Sequence, residues 1–170
     1  RVSSNCAAIK FGTETFGAFR DVEISDCRVE VGADCPRWEW AKDVPDTTGE
    51  RPLCKGGLAI EMVDGGTMER IPARNVSFRH VETPVFVRLN ARRVQATPSR
   101  LEDVVLENLS GEAASGIACH ITGIPGLRVK NVKVKDVRTG TANIAGVQIP
   151  TFESIDTEVR EIDAWSTPAW

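Results

Sequence analysis

Several classes of protein are excluded by what this chain does not contain. Its 170 residues include no run of about 18 apolar residues, so no helix of it is long and apolar enough to cross a membrane. No secretory leader is visible in its first residues. Lys and Arg number 21 against 24 Asp and Glu, the net charge is −3, and no basic run stands out, so a nucleic-acid partner is not expected. Two histidines and the lack of a Cys-x-x-Cys pair give no basis for a Cys/His metal site, and no cofactor is called for. The five cysteines are an odd number, which argues against a complete disulfide framework. Helical patterning is nearly absent: no window of about 11 residues or more carries an uninterrupted i, i+3, i+4, i+7 apolar set. The Gly-rich Asp64-Gly65-Gly66 is a turn signal and not a phosphate loop.

What the chain does contain is self-similarity. Asp21-Val22-Glu23-Ile24-Ser25-Asp26-Cys27, Asn75-Val76-Ser77-Phe78-Arg79-His80-Val81, Asp103-Val104-Val105-Leu106-Glu107-Asn108-Leu109 and Asn131-Val132-Lys133-Val134-Lys135-Asp136-Val137 share one pattern: Asp or Asn, apolar, any, apolar, any, polar, apolar. The last three start 28 residues apart, and the first starts 54 before the second. The alternation is that of strands with one buried face. A second strand-like block precedes each segment: residues 6–11, 57–62, 84–89 and 116–121, with a weaker fifth unit at 146–149 and 158–162.

Strands recurring at such a period stack in parallel, about 4.8 Å apart, more readily than they pair as hairpins. The expected fold is therefore all-β, a right-handed parallel β-helix of about five to six coils of about 28 residues. A propeller blade needs four strands and roughly 40 residues or more, which this period does not provide. Gapless alignment predicts interior ladders Ala7, Leu58, Val85, Ile117 and Ile9, Ile60, Val87, Cys119. On this reading Val87 points inward and Arg88 outward, so an acid would break the stack at 87 and not at 88.

The chain is expected to be one domain, 1–170, with 32–56 an inserted surface loop. Cys35 and Cys54 flank that loop; a bridge between them and two separate thiols are both consistent with the sequence. Cys27 and Cys119 fall on ladder positions and read as small apolar residues. Because Arg1 directly precedes a core-type block, the chain is expected to be the C-terminal portion of a longer stack. Open coil edges leave monomer and end-to-end association as the two expected states.

Two outward columns follow from the alignment: Ala8, Ala59, Phe86, Ala118, and Lys10, Glu61, Arg88, His120. Small residues beside alternating charges predict a shallow polar trough, better suited to a polysaccharide than to an apolar ligand. Mutually satisfied surface charges are the competing explanation. Glu14, Glu61 and Asp64 are the carboxylates nearest the trough, and Lys10, Glu14, Glu61, Arg88 and His120 are the candidate substrate-binding residues. His80 falls in a turn column with Asp26, Asn108 and Asp136. Trp38 and Trp40, in the insertion, fit either sugar stacking or anchoring of the loop.

Residues 4–15 (Ser4-Asn5-Cys6-Ala7-Ala8-Ile9-Lys10-Phe11-Gly12-Thr13-Glu14-Thr15) and 19–27 resemble a coil of the family-28 glycoside hydrolases, the polygalacturonase and rhamnogalacturonan-hydrolase group. Gly57–Gly66, Val76–Val87 and Ile121–Leu127 continue the likeness, which covers residues 1–140. The resemblance implies inverting hydrolysis of a pectic polysaccharide by a secreted or periplasmic bacterial enzyme, with aspartates as acid and base. The family's Asn-Thr-Asp and Asp-Asp motifs do not occur here, so the catalytic residues are unassigned and this chain by itself is expected to be catalytically incomplete. If the chain begins at the coil after the Asp-Asp one, the family's histidine would fall on Asn5 and its Arg-Ile-Lys motif on Ala59-Ile60-Glu61; alternatively residues 4–10 are the Asp-Asp coil itself with both acids replaced. A non-catalytic carbohydrate-binding or purely structural β-helix module is the alternative.

Overall fold

The computed structural model describes residues 1–31, 54–91, 97–113, 119–124, 126–139, 142–144, 147–149 and 157–162. Among these residues there is no helix, and eleven strands form one sheet. They are β1 (Ala7–Phe11), β2 (Ala18–Arg20), β3 (Ile24–Glu30), β4 (Cys54–Met62), β5 (Thr67–Leu89), β6 (Arg100–Ala113), β7 (Cys119–Thr122), β8 (Val129–Arg138), β9 (Ala142–Ile144), β10 (Val147–Ile149) and β11 (Thr157–Ile162).

The sheet is built mainly by parallel stacking. β1 pairs with β4, while β2 and β3 pair with the first half of β5. The second half of β5 pairs with β4 on one side and β7 on the other. β6 lies between β5 and β8, and β9 follows β7, all in parallel. The expected fifth unit departs from this rule. β10 folds back antiparallel on β9, and β11 runs antiparallel to β8.

Conformation at a few polar positions sets the shape of each row. Asp21, Arg70, Asp103 and Asn131 have φ between 51° and 57°, and Asp26, Asn75, Asn108 and Asp136 between 49° and 54°. Asn and Asp tolerate this left-handed region better than other residues with a Cβ. Each bend resets the alternation, so Val22 and Ile24 precede the bend at Asp26 while Cys27 and Val29 follow it, all four directed to the core side. The bends are also tied to one another. Asn75 Nδ2 donates to Asp26 Oδ1 at 2.9 Å, Asn108 Nδ2 donates to Asn75 Oδ1 at 2.8 Å, and Asn131 Nδ2 donates to Asp103 Oδ1 at 3.0 Å.

These contacts correct the alignment read from the sequence. Asp26 lies beside Asn75, 49 residues on, and Asn75 beside Asn108, 33 residues on. Only the last step, Asp103 to Asn131, has the expected 28. The error has a cause: each row carries two such bends five residues apart, so one bend can be matched to the other. His80 does sit at a bend, with φ 56°, but it is a third one in its own row and not a member of the Asp26 column.

The core lies under these bends. Leu58, Ile60, Met62, Met68, Ile71, Leu89, Leu101, Leu106 and Leu109 are fully enclosed. Complete burial of such a side chain contributes about 1.5–3 kcal/mol. The ladders observed are Ile9, Leu58, Val85 and Phe11, Ile60, Val87, Ile121. β1 and β7 are thus displaced by two residues from the expected register, which preserves the inward face and changes the vertical neighbours. Cys54, Lys55 and Gly56 belong to β4 and not to the insertion, whose other residues, with Cys35, Trp38 and Trp40, lie outside the described ones. The buried Cys54 thiol donates to the Cys6 and Gly56 carbonyls at 2.9 and 3.0 Å, and the bridge considered between Cys35 and Cys54 falls outside the described residues at Cys35.

The Asn column is testable. Asn108→Val removes the bond to Asn75 and forces a β-branched residue into the left-handed region, so it should destabilise the chain by about 2 kcal/mol or more. Asn108→Gly, which keeps the backbone conformation, should cost about half as much in urea unfolding.

Candidate functional site: an ion cluster around Glu61 and a face of alternating charge

Three of the five candidate binding residues meet. Lys10 Nζ lies 3.0 Å from Glu61 Oε1, and an Arg88 guanidinium nitrogen lies 3.9 Å from Glu61 Oε2. β1, β4 and β5 supply one residue each. The register is diagonal: Lys10 is level with Ala59, and Glu61 is level with Arg88. Gly12 permits the close approach of the β1 end to β4. It has φ +86°, and a Cβ placed there would sit 1.8 Å from the Glu61 carbonyl oxygen.

Lys10 is exposed, but the rest of this cluster does not line an open trough. Glu61 is 3% exposed, and its outward-facing neighbours Ala59 and Phe86 are 2% and 0% exposed. Both faces of β4 are therefore covered. Enclosing a carboxylate is costly unless cations lie against it, and Lys10 and Arg88 lie against this one. Glu14 stands on the exposed turn between β1 and β2. His120 is level with Phe86, and the position beside Arg88 belongs to Thr122. Asp64 is buried near the end of β4.

A second arrangement, not found from the sequence, covers the opposite stretch of the sheet. Between residues 18 and 30, Arg20 and Arg28 are outnumbered by Asp21, Glu23, Asp26 and Glu30, so the row is acidic. Beneath it, Arg70, Arg74 and Arg79 outnumber Glu69. The row of β6 is acidic again, with Glu102, Asp103 and Glu107 against Arg100. The row of β8 is the most basic: Arg128, Lys130, Lys133, Lys135 and Arg138 against Asp136. Backbone register then sets Glu158 and Glu161 of β11 opposite Lys133 and Lys130. The sign of charge alternates from row to row.

Ion pairs run along the columns. Arg70 donates twice to Asp21, at 2.6 and 3.0 Å. Arg74 lies 3.6 Å from Glu23 and 3.1 Å from Glu107, and Lys135 is 3.6 Å from Glu107. Glu69 is the hub: Arg20 bonds it at 2.6 Å, Arg70 lies 3.0 Å away, and Arg100 bonds its other oxygen. Burial pushes the Glu69 carboxyl up, but the hydrogen bonds from Arg100, Arg70 and Arg20 outweigh it and hold the group below the usual carboxylate range. Asp21 is lowered too, chiefly by its bonds from Arg70. The signal for this face was present in the sequence, but only the true row spacing of 49 and 33 residues brings its columns together.

Among the described residues the thiols are enclosed or half-buried. Cys119 lies in the core beside Val85, and burial raises its pKa. Cys27 occupies a core column with Val76 and is half-buried, its thiol donating to the Ser25 carbonyl at 3.3 Å. No cluster of metal-ligating side chains occurs among the described residues. Comparison of the chain with known protein families, curated proteins and solved structures finds no match.

Two outcomes follow. Arg88→Asp, expected from alternation to be harmless, should instead destabilise by at least about 3 kcal/mol, because it sets a second carboxylate against the enclosed Glu61. Val87→Asp should be at least as severe, and thermal unfolding of both variants checks this. The lowered pKa values of Glu69 and Asp21 mean that the unfolded chain binds protons more readily. Their stabilisation is full above the ordinary carboxylate range near pH 4 and is lost as pH falls through the lowered values. Glu69→Gln should flatten this acid limb in urea midpoints measured against pH.

Proposed function

We propose that the chain is part of a right-handed parallel β-helix of the kind found in family-28 glycoside hydrolases, and that it binds a pectic, polyanionic polysaccharide without cleaving it. The parallel rows and the stacked bends support the coiled architecture. One observation carries the binding reading: Arg128, Lys130, Lys133, Lys135 and Arg138 are all exposed on one row. Lys133 and Lys135 are two strand positions apart, about 7 Å, on one side of β8. Such a row meets successive carboxylates of an extended polymer, with affinity that falls as salt rises.

Cleavage is assigned to no pair of the described carboxylates. Glycoside hydrolysis requires two carboxyl groups flanking the scissile bond. Glu61, the candidate nearest the expected trough, is enclosed and held between Lys10 and Arg88. In a longer enzyme of the family this section would hold substrate while other rows supply acid and base. The substrate places such an enzyme in the periplasm or outside the cell.

Retention on immobilised polygalacturonate tests this reading. The chain should be retained at low ionic strength and released well above about 0.15 M salt, and a neutral galactan should not retain it. Lys130→Glu with Lys133→Glu should weaken binding by roughly tenfold or more, and Lys10→Ala should leave it unchanged. Equal retention by both polymers, or by the double variant, overturns the proposal. No retention at any salt leaves a structural module without a glycan ligand.

A further inference from the structure

β11 departs from the rule that builds the rest of its face. β3, β5, β6 and β8 join in parallel, whereas β11 returns antiparallel on the side of β8 away from β6. It is also shorter than a row, with six residues against ten in β8. Among the described residues β8 is its one strand partner.

The cations of β8 meet different neighbours on their two sides. On the β6 side Lys130 is level with Glu102, and Lys135 is level with Glu107, 3.6 Å from it. Lys133 is level with Val105, so register gives it no acid there. On the β11 side Glu161 stands opposite Lys130 and Glu158 opposite Lys133. Directly opposed residues of an antiparallel pair share a face, with Cβ atoms about 4.5–5.5 Å apart. Lys130 and Lys133 are exposed, so the register sets both glutamates on the side that a ligand would approach. The two sources of acid are not held equally. β6 is paired on both sides, to β5 and β8, and its Leu101, Val104, Leu106 and Leu109 are in the core, so Glu102 and Glu107 cannot leave without opening the stack. β11 is held by a single short ladder, and such an element opens at lower free energy than the interior of a sheet.

We infer that β11 is a displaceable strap: its Glu158 and Glu161 occupy the positions facing Lys133 and Lys130, and a bound polyanion takes their place. This rests on the polyanion reading of β8 and adds the regulation of that same site. The strap lowers affinity by the free energy of its release, because the polymer must replace contacts already made within the chain. A permanent strand that merely continues the alternation of charge has the same register, but it stays in place when the polymer binds. The two differ in what the polymer does to β11, and in whether Glu158 acts through Lys133.

Amide hydrogen exchange of the intact chain, with and without saturating polygalacturonate at low salt, tests the strap directly. Bound polymer should speed exchange at residues 157–162 by at least about threefold and leave residues 100–109 of β6 unchanged. Glu158→Gln with Glu161→Gln should tighten binding by at least about threefold. General removal of negative charge would also tighten it, so the single change Glu158→Gln is measured again in a Lys133→Gln chain. Displacement predicts that most of its gain disappears there, because the cation it competes for is gone. Unchanged or slower exchange at 157–162, in a chain that binds the polymer, overturns the strap and leaves the polyanion reading standing. An equal gain from Glu158→Gln with and without Lys133 has the same consequence. Absence of binding by both the native chain and the double glutamine variant overturns the polyanion reading, and the strap with it.

Discussion

One-to-one parallel register between successive rows is the constraint on which the structure depends. Each row of backbone N–H and C=O groups finds its partners in the row above and the row below. A row can then bend only where its neighbours bend. That is why left-handed residues fall in columns, Asp21 with Arg70, Asp103 and Asn131, and Asp26 with Asn75, Asn108 and Asp136. A left-handed residue with a Cβ costs about 1–2 kcal/mol. Side-chain bonds such as Asn75 to Asp26 and Asn108 to Asn75 offset part of that cost and hold the column together.

Given that register, the alternation of charge becomes a specification of order. Exposed pairs such as Arg74 with Glu23 contribute little singly, about 0–1 kcal/mol. Their combined effect is discrimination, because any exchange of rows that set acid on acid would place like charges directly opposite. Glu69 and Glu61 are different in kind. Both are enclosed, and arginines or a lysine close on each from adjacent rows. The charge column inferred around Lys10, Glu61 and Arg88 is thus present, with Glu61 enclosed and Lys10 exposed above it.

The strands were legible because period-two alternation survives in every row, and Val132 with Val134 or Val22 with Ile24 reads the same in sequence and structure. Lys10, Glu61 and Arg88 were brought together as expected because a two-residue displacement keeps a side chain on its face. The row spacing was not legible. Asp21 and Asp26 are interchangeable as pattern anchors, so the alignment slipped by one bend and hid Arg20, Glu69, Arg100 and their neighbours as a cluster. Burial was misjudged for a related reason. Ala59 and Phe86 alternate with core residues as an exposed face would, yet both are enclosed, and local alternation does not report what covers a strand from outside.

The sequence by itself determined the local chemistry: all-β structure, the polar bends, inward apolar positions and the sign of charge on each segment. These are properties of neighbouring residues and need no knowledge of what lies across the sheet. Tertiary structure alone decided which row lies on which, that β10 and β11 turn back antiparallel, and which acids are enclosed. Those outcomes depend on contacts between residues 28 to 49 apart, where several registers satisfy the same short-range pattern and only summed packing, backbone pairing and charge select one.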